Sequence, residues 1–245
     1  MGLMKQRIAV LVVAYNAEFT LKTVLDRIPE SFIPNISTVL VCDDASTDRT
    51  TAVVNEYMTH SRLPITVVTH PVNHGYGGNQ KFGYQWAIDH GVDIVILLHG
   101  DGQYAPEELP RMTQPLIDET ADVVFGSRML NRRQARKGGM PLYKYFGNIF
   151  LTTLQNRLVG ANLSEWHSGY RAYRVSSLRA VDFHHNSDEF DFDTQIILQM
   201  ISTGQRIKEI EIPTFYGDEI SHVNSLKYGA QILWHTIRYR RSRRS

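Results

Sequence analysis

An α/β fold with a mostly parallel central sheet flanked by helices is predicted by three observations. Several short runs, among them Ile8–Ala14 and Ile94–Leu98, are apolar along their whole length rather than alternating, as strands covered on both faces are. Helix-length segments separate those runs. The runs also stop at clusters of Gly, Asp and Asn, where buried strands hand polar groups to loops.

Taken in order, Ile8–Ala14 is a strand by length and β-branching, and Ala17–Ile28 a helix ended near Pro29. Thr38–Cys42 is a second strand, followed by a helix from about Asp48 to His60. Ile65–Thr69 is a third strand, and the helix after it runs from about Gly78 to His90, with Gly91 placed to stop it. Ile94–Leu98 is the fourth strand, and Asp122–Gly126 the fifth, after a helix opened by Pro106. Beyond this the rhythm is lost. Residues 127–141 form a basic, Gly-bearing loop, and Leu142–Val159 a long helix. "GYRAYRV" reads as a strand, Phe192–Thr203 as a helix and Arg206–Ile212 as an edge strand before Pro213. A last helix starts near Ser225 and runs into a tail that carries five arginines over residues 238–245.

The chain has 245 residues and a net charge of +1, so the rest is net acidic once the tail is set aside. Its single cysteine, Cys42, excludes internal disulfides and a Cys-rich zinc site, and suits a reducing cytoplasm. No run reaches the length of a membrane span, and no nucleic-acid partner is expected. The arginine tail with the final helix, which sets Leu226, Ile232, Leu233 and Ile237 beside Trp234 and Tyr239, is compatible with peripheral contact to an anionic membrane. Packing of that helix on the domain is the alternative, as is a merely solvated tail. Oligomeric state is left open.

In open parallel sheets, ligands bind outside the carboxyl ends of the strands. Those ends carry Tyr15-Asn16, "DDASTDRT" (43–50), "NHGYGGN" (73–79), "HGDGQ" (99–103) and "GSR" (126–128). Neither G-x-G-x-x-G nor a P-loop is present. Asp101, between Gly100 and Gly102 and followed by Gln103, offers hard oxygen ligands with little bulk, which suits Mg²⁺ or Mn²⁺ shared with a diphosphate. A plain turn with a capping aspartate is the bland alternative. For "NHGYGGN", backbone N–H groups toward a phosphate and an ordinary turn are equally compatible.

In order and spacing, "VVAYN", "VCDDASTDRT", "NHGYGGNQKFGYQWA", "HGDGQYAPEEL", "GSR" and "SGYRAYR" resemble the family 2 glycosyltransferases of the GT-A fold, over roughly residues 7–215. The dolichyl- or polyprenyl-phosphate mannosyl- and glucosyltransferases are the nearest in pattern. The resemblance implies a single domain over 1–237, with a Rossmann-like nucleotide-sugar half (about 7–128), an acceptor-binding α+β half (about 129–237) and a basic tail. It implies that Tyr15, Asn16, Asp43, Asp44, Gly75, Gly78 and Gly100 hold the nucleotide sugar. "HGDGQ" stands where the family has D-x-D-x-Q, so Asp101 and Gln103 are the expected metal ligands, and His99 replaces the first aspartate. His99 could ligate the metal, bond a phosphate oxygen or water beside it, or stand by in an inactive site; an imidazole suits Mn²⁺ better than Mg²⁺. Arg128 is expected at the diphosphate or acceptor phosphate, and Arg171 and Arg174 in the acceptor half. His222 and Lys227 fall in the family's loop over the nucleotide.

The implied reaction is inverting, metal-dependent transfer of a hexose from a GDP- or UDP-sugar, with polyprenyl or dolichyl phosphate as the favoured acceptor. Arg132, Arg133 and Arg136, with Lys137, supply charge for a phosphate, unless the loop is only solvated. Asp193 is the candidate base for a hydroxyl acceptor, or merely complements a helix dipole. The alternatives are a family 2 enzyme acting on a saccharide hydroxyl and a non-catalytic GT-A-like nucleotide-binding protein. A nucleotidyltransferase lacks its usual loop after the first strand. The expected location is cytoplasmic, with peripheral attachment to the cytoplasmic membrane face open.

Overall fold

The computed structural model of the chain describes residues 6–213 and 225–242. Seven strands form one sheet: β1 (Ile8–Ala14), β2 (Ile36–Asp43), β3 (Ile65–Thr69), β4 (Ile94–His99), β5 (Val123–Ser127), β6 (Arg171–Arg174) and β7 (Ile207–Glu211). Their order is β3-β2-β1-β4-β6-β5-β7. Only β6 runs antiparallel, wedged between β4 and β5. The helices are α1 (Leu21–Asp26), α2 (Thr50–Met58), α3 (Gly75–Asp89), α4 (Leu109–Ile117), α5 (Arg132–Lys137), α6 (Leu142–Val159), α7 (Val175–Arg179), α8 (Phe192–Ser202) and α9 (Ser225–Ser242).

Two apolar clusters cover the faces of the sheet. Val10, Val12, Val39, Val41, Ile96 and Leu98 point to one face with α1, α2 and α4. Leu11, Leu40, Val95 and Leu97 point to the other, under α3 and α8. Consecutive residues feed opposite clusters, so the uninterrupted apolar runs follow from burial on both faces.

Three of the departures from the expected boundaries have a clear local reason. Helix α3 starts three residues early because both Asp44 carboxylate oxygens accept N–H groups at its start, from His74 (2.8 Å) and Gly75 (3.0 Å). Helix α1 is shorter, with Ala17 held instead by the Thr50 hydroxyl at 2.7 Å. Part of the expected basic loop 127–141 is helix α5. Asn131 caps it by accepting the Gln134 N–H at 3.3 Å, and Ala135 is buried between Met129 and Met140.

Candidate functional site

The strand order reverses direction between β1 and β4, which pair with Val13 opposite His99. A crevice opens at such a switch point beyond the carboxyl ends. There Gly100 continues the ladder by donating its N–H to the Val13 carbonyl at 2.8 Å, and its own carbonyl accepts the Thr20 hydroxyl at 2.7 Å. Gly102 follows at φ +80°, a left-handed turn that glycine allows. The turn presents Asp101 to solvent, with one carboxylate oxygen accepting the Gln103 N–H at 3.0 Å.

His99, the last residue of β4, is buried. Its ring stands edge-on to Tyr76 and Tyr104, with centroids 5.6 and 5.0 Å away. Nε2 is buried without a hydrogen-bond partner. Burial lowers the imidazole pKa against the opposing pull of Asp101 and Asp193, so the ring is neutral at pH 7. Gly169 makes this packing possible. A Cβ there would sit 2.8 Å from His99 Cε1 and 2.9 Å from both His99 Nε2 and the Tyr76 hydroxyl. The Gly169 N–H donates to the Tyr104 hydroxyl at 2.7 Å.

Behind His99 is a buried ion pair. Arg171 Nη2 lies 3.4 Å from Asp193 Oδ2, and its other donors go to the carbonyls of Ser168, Asp193 and Trp166. The Tyr76 hydroxyl donates to Asp193 at 2.9 Å. Arg171 is therefore spent internally, which corrects its assignment to acceptor binding. Arg174 is also corrected. It pairs with Ile94 at the amino end of β4, and its guanidinium donates to the Leu116 carbonyl and meets Glu119, so it stands at the far end of the sheet from the crevice.

Arg128 leaves β5 and turns onto Glu165, whose side chain is wholly buried. Glu165 accepts from the Arg128 backbone N–H (2.7 Å), from its Nε (3.0 Å) and from its Nη2, and also from Asn148 of α6 at 2.7 Å. Burial would raise the Glu165 pKa, but the Arg128 charge and these bonds outweigh it and hold the carboxyl below its usual range. Beside it, burial pushes His167 down to about 4.

The remaining expected residues divide. Tyr15 is half exposed at the end of β1, open to a planar group. Asn16 accepts the Thr47 N–H. Asp43 is buried and accepts from the Ser46 and Thr51 hydroxyls, so it braces loop 44–50. The glycine loop differs from a phosphate cradle. The N–H of Gly75 goes to Asp44, and those of Gly77 and Gly78 go to the Asp188 carbonyl. Added Cβ atoms at Gly75 and Gly78 would lie 2.7 Å from the Asp188 carbonyl oxygen and 2.9 Å from His74 Cβ. These glycines admit segment 187–188 rather than a diphosphate. Arg132, Arg133, Arg136 and Lys137 line an open cleft of about 380 Å³ with Tyr145. His222 and residues 243–245 of the tail lie outside the described residues, while Lys227 falls in α9.

Among the described residues no group of three His, Cys, Asp or Glu side chains could hold a metal ion. The donor set at β4 is smaller, an exposed carboxylate on a glycine-flanked turn beside a neutral imidazole. That fits a cation which takes its other ligands from substrate phosphates and water. Sequence reasoning missed Tyr76, Tyr104, Gly169 and Glu165. Only Gly169, beside the arginine strand, carried any signal, as a site of close approach.

Comparison with known proteins adds the lineage. The model of glycosyl transferase family 2 matches residues 9–182. The undecaprenyl-phosphate mannosyltransferase of Micrococcus luteus is 29% identical over 258 residues, which cover 96% of this chain and 98% of the relative. The UDP-N-acetylglucosamine–dolichyl-phosphate N-acetylglucosaminyltransferase of Methanococcus voltae is 26% identical, over 85% and 86%. Glucosyl-3-phosphoglycerate synthase of Mycobacterium tuberculosis, solved with Mn²⁺ and UDP, superposes with a TM-score of 0.70 at 17% identity, covering 96% and 80%. That likeness identifies the fold as GT-A.

Proposed function

From the premise that this chain belongs to glycosyl transferase family 2, we propose that it transfers a hexose, with inversion, from a nucleotide sugar to a polyprenyl phosphate. The single observation that carries the acceptor is the sequestration of Asp193. A hydroxyl acceptor needs a base that can take its proton. Asp193 is buried against Arg171 and accepts the Tyr76 hydroxyl, and the neighbouring carboxylates Asp188 and Asp191 are paired with Lys81 and His235. A phosphate acceptor is already anionic and needs positive charge instead, which Arg132, Arg133 and Arg136 offer at the surface. The relatives named for undecaprenyl and dolichyl phosphate acceptors support the same choice.

On this account the donor lies across the β1–β4 crevice, with Tyr15 against the base and Gly100 under the ribose and diphosphate. Asp101, aided by Gln103, would hold a divalent cation, Mn²⁺ or Mg²⁺. When bound, that ion neutralises charge developing on the departing nucleoside diphosphate. Arg128 is proposed to meet the diphosphate or the acceptor phosphate from the end of β5, although its charge is already balanced by Glu165. His99 stays a neutral ring packed beneath the turn, between Tyr76, Tyr104 and Gly169, and supports the position of Asp101 from within.

The test is a screen of GDP- and UDP-sugars with polyprenyl phosphate and either cation, followed by recovery of the lipid. A phosphate-linked glycolipid is expected. Tight nucleotide binding without turnover of any donor would instead make the chain a binding protein.

A further inference from the structure

Helix α6 carries its polarity inside out. Its sheltered residues are Asn148, Thr152, Gln155 and Val159, of which only the last is apolar. Leu142, Tyr143, Phe146 and Phe150 are 53%, 67%, 62% and 65% exposed. With 3.6 residues per turn, these four fall in a sector about 100° wide, centred opposite the sheltered face. Leu130, just ahead of α5, is 46% exposed as well. A helix that met only water would have no reason to hide its amides and show its rings.

The charge beside this stripe has one sign. Residues 127–150 contain six basic side chains and no acidic one. Arg132, Arg133, Arg136 and Lys137 of α5 are all exposed, and Arg136 reaches over the Tyr145 ring at 5.7 Å. Aromatic rings favour the depth of lipid headgroups, and clustered cations are drawn to anionic lipid.

We propose that the α5–α6 face docks the protein on an anionic lipid bilayer, with the Tyr143, Phe146 and Phe150 rings at the headgroup–acyl boundary and the α5 cations on lipid phosphates. The occupant follows from the two features together: an exposed aromatic stripe, and beside it a block of positive charge, lining an open cleft with Tyr145, that is complementary to an anionic surface. The same helix reaches the site from its other side, because Asn148 donates to the Glu165 that holds Arg128. The final helix is the weaker candidate. Ile232 and Thr236 turn inward, with Thr236 meeting Gln155 of α6, so at these positions the helix packs on the domain, the alternative that the sequence left open. The docking shares its α5 cations with the proposed acceptor site, but lipid binding has its own readout, so either reading can fail without the other.

The experiment is flotation of the full chain with phosphatidylcholine vesicles, with and without phosphatidylglycerol, across salt concentrations. Wild type is expected to float with the anionic vesicles and to release with salt. F146S/F150S should weaken partition by about tenfold or more, and each of R132Q, R133Q and R136Q by about fivefold. W234S should leave it unchanged. All these positions are exposed, and the charge variants perturb the face independently of the aromatic ones, with the melting temperature read for each. Three results overturn the proposal: failure of the wild type to float, flotation that survives F146S/F150S, or a lipid-free dimer that F146S/F150S dissociates, which assigns the stripe to a second copy of the chain.

Discussion

Asp193→Asn separates a base from a structural anion. In the structure Asp193 Oδ2 lies 3.4 Å from Arg171 Nη2 and 2.9 Å from the Tyr76 hydroxyl, and Arg171 is 1% exposed. At an effective dielectric of about 20, two unit charges at that separation attract by about 5 kcal/mol. The amide keeps an oxygen for Tyr76, and Arg171 keeps its three backbone carbonyls. Breaking a buried pair at one partner then costs about 3–5 kcal/mol. For a chain of this size that is a fall of roughly 6–20 °C in melting temperature. On the phosphate-acceptor reading no proton passes through Asp193, so turnover per folded molecule should fall by less than about tenfold; removal of a true base costs about 10²–10⁴. Calorimetry and initial rates on the same preparation decide it. An unchanged melting temperature with a hundredfold loss of turnover would refute the structural role and return Asp193 to the chemistry.

Other outcomes follow from the same geometry. Asp101→Ala should remove cation-stimulated transfer by about 10²-fold or more; titration with Mn²⁺ and Mg²⁺ checks it, and retained stimulation would move the cation elsewhere. His99→Asp should raise activity with Mg²⁺ relative to Mn²⁺ if the ring touches the ion, and an unchanged ratio would place it outside the coordination sphere. Gly169→Ala should weaken donor binding, measured by calorimetry, because its Cβ would crowd His99 and Tyr76 at 2.8–2.9 Å. The protein should lose stability as pH falls. His167 has its pKa pushed from 6.5 down to about 4, so below about 6.5 the unfolded chain binds the proton that the folded chain refuses. Unfolding midpoints across that window should decline from pH 6.5 to 4, and His167→Asn should flatten the slope.

Much of the scaffold was legible in the sequence because its central strands, such as β1 and β4, are buried on both faces. The end of β4 is an example: five consecutive apolar residues stop at His99, and the structure puts Asp101 on the turn that follows. The α5 helix was not legible, since paired glycines and dense positive charge look like loop. Its helix depends on an Asn131 cap and on burial of Ala135 between two methionines. The arginines of "RAYR" show a different limit. Residues three apart in a strand point to opposite faces, which already argues against one shared role for Arg171 and Arg174. That Arg171 would be spent on Asp193, twenty-two residues later, depends on tertiary packing. The Arg128–Glu165 pair likewise spans 37 residues, beyond any local pattern. The glycines of "NHGYGGN" left a phosphate and an ordinary turn equally compatible, and what approaches them in the structure is the chain itself at Asp188.

The central claim is that the acceptor brings its own negative charge. The direct measurement compares initial rates of transfer to a polyprenyl phosphate and to the corresponding free polyprenol, with the same donor and cation, and determines the anomeric configuration of the product by NMR. Transfer to the phosphate with inverted configuration is expected, and none to the alcohol. Comparable rates with the alcohol, or a product linked to a saccharide hydroxyl while the lipid phosphate stays unmodified, would contradict it.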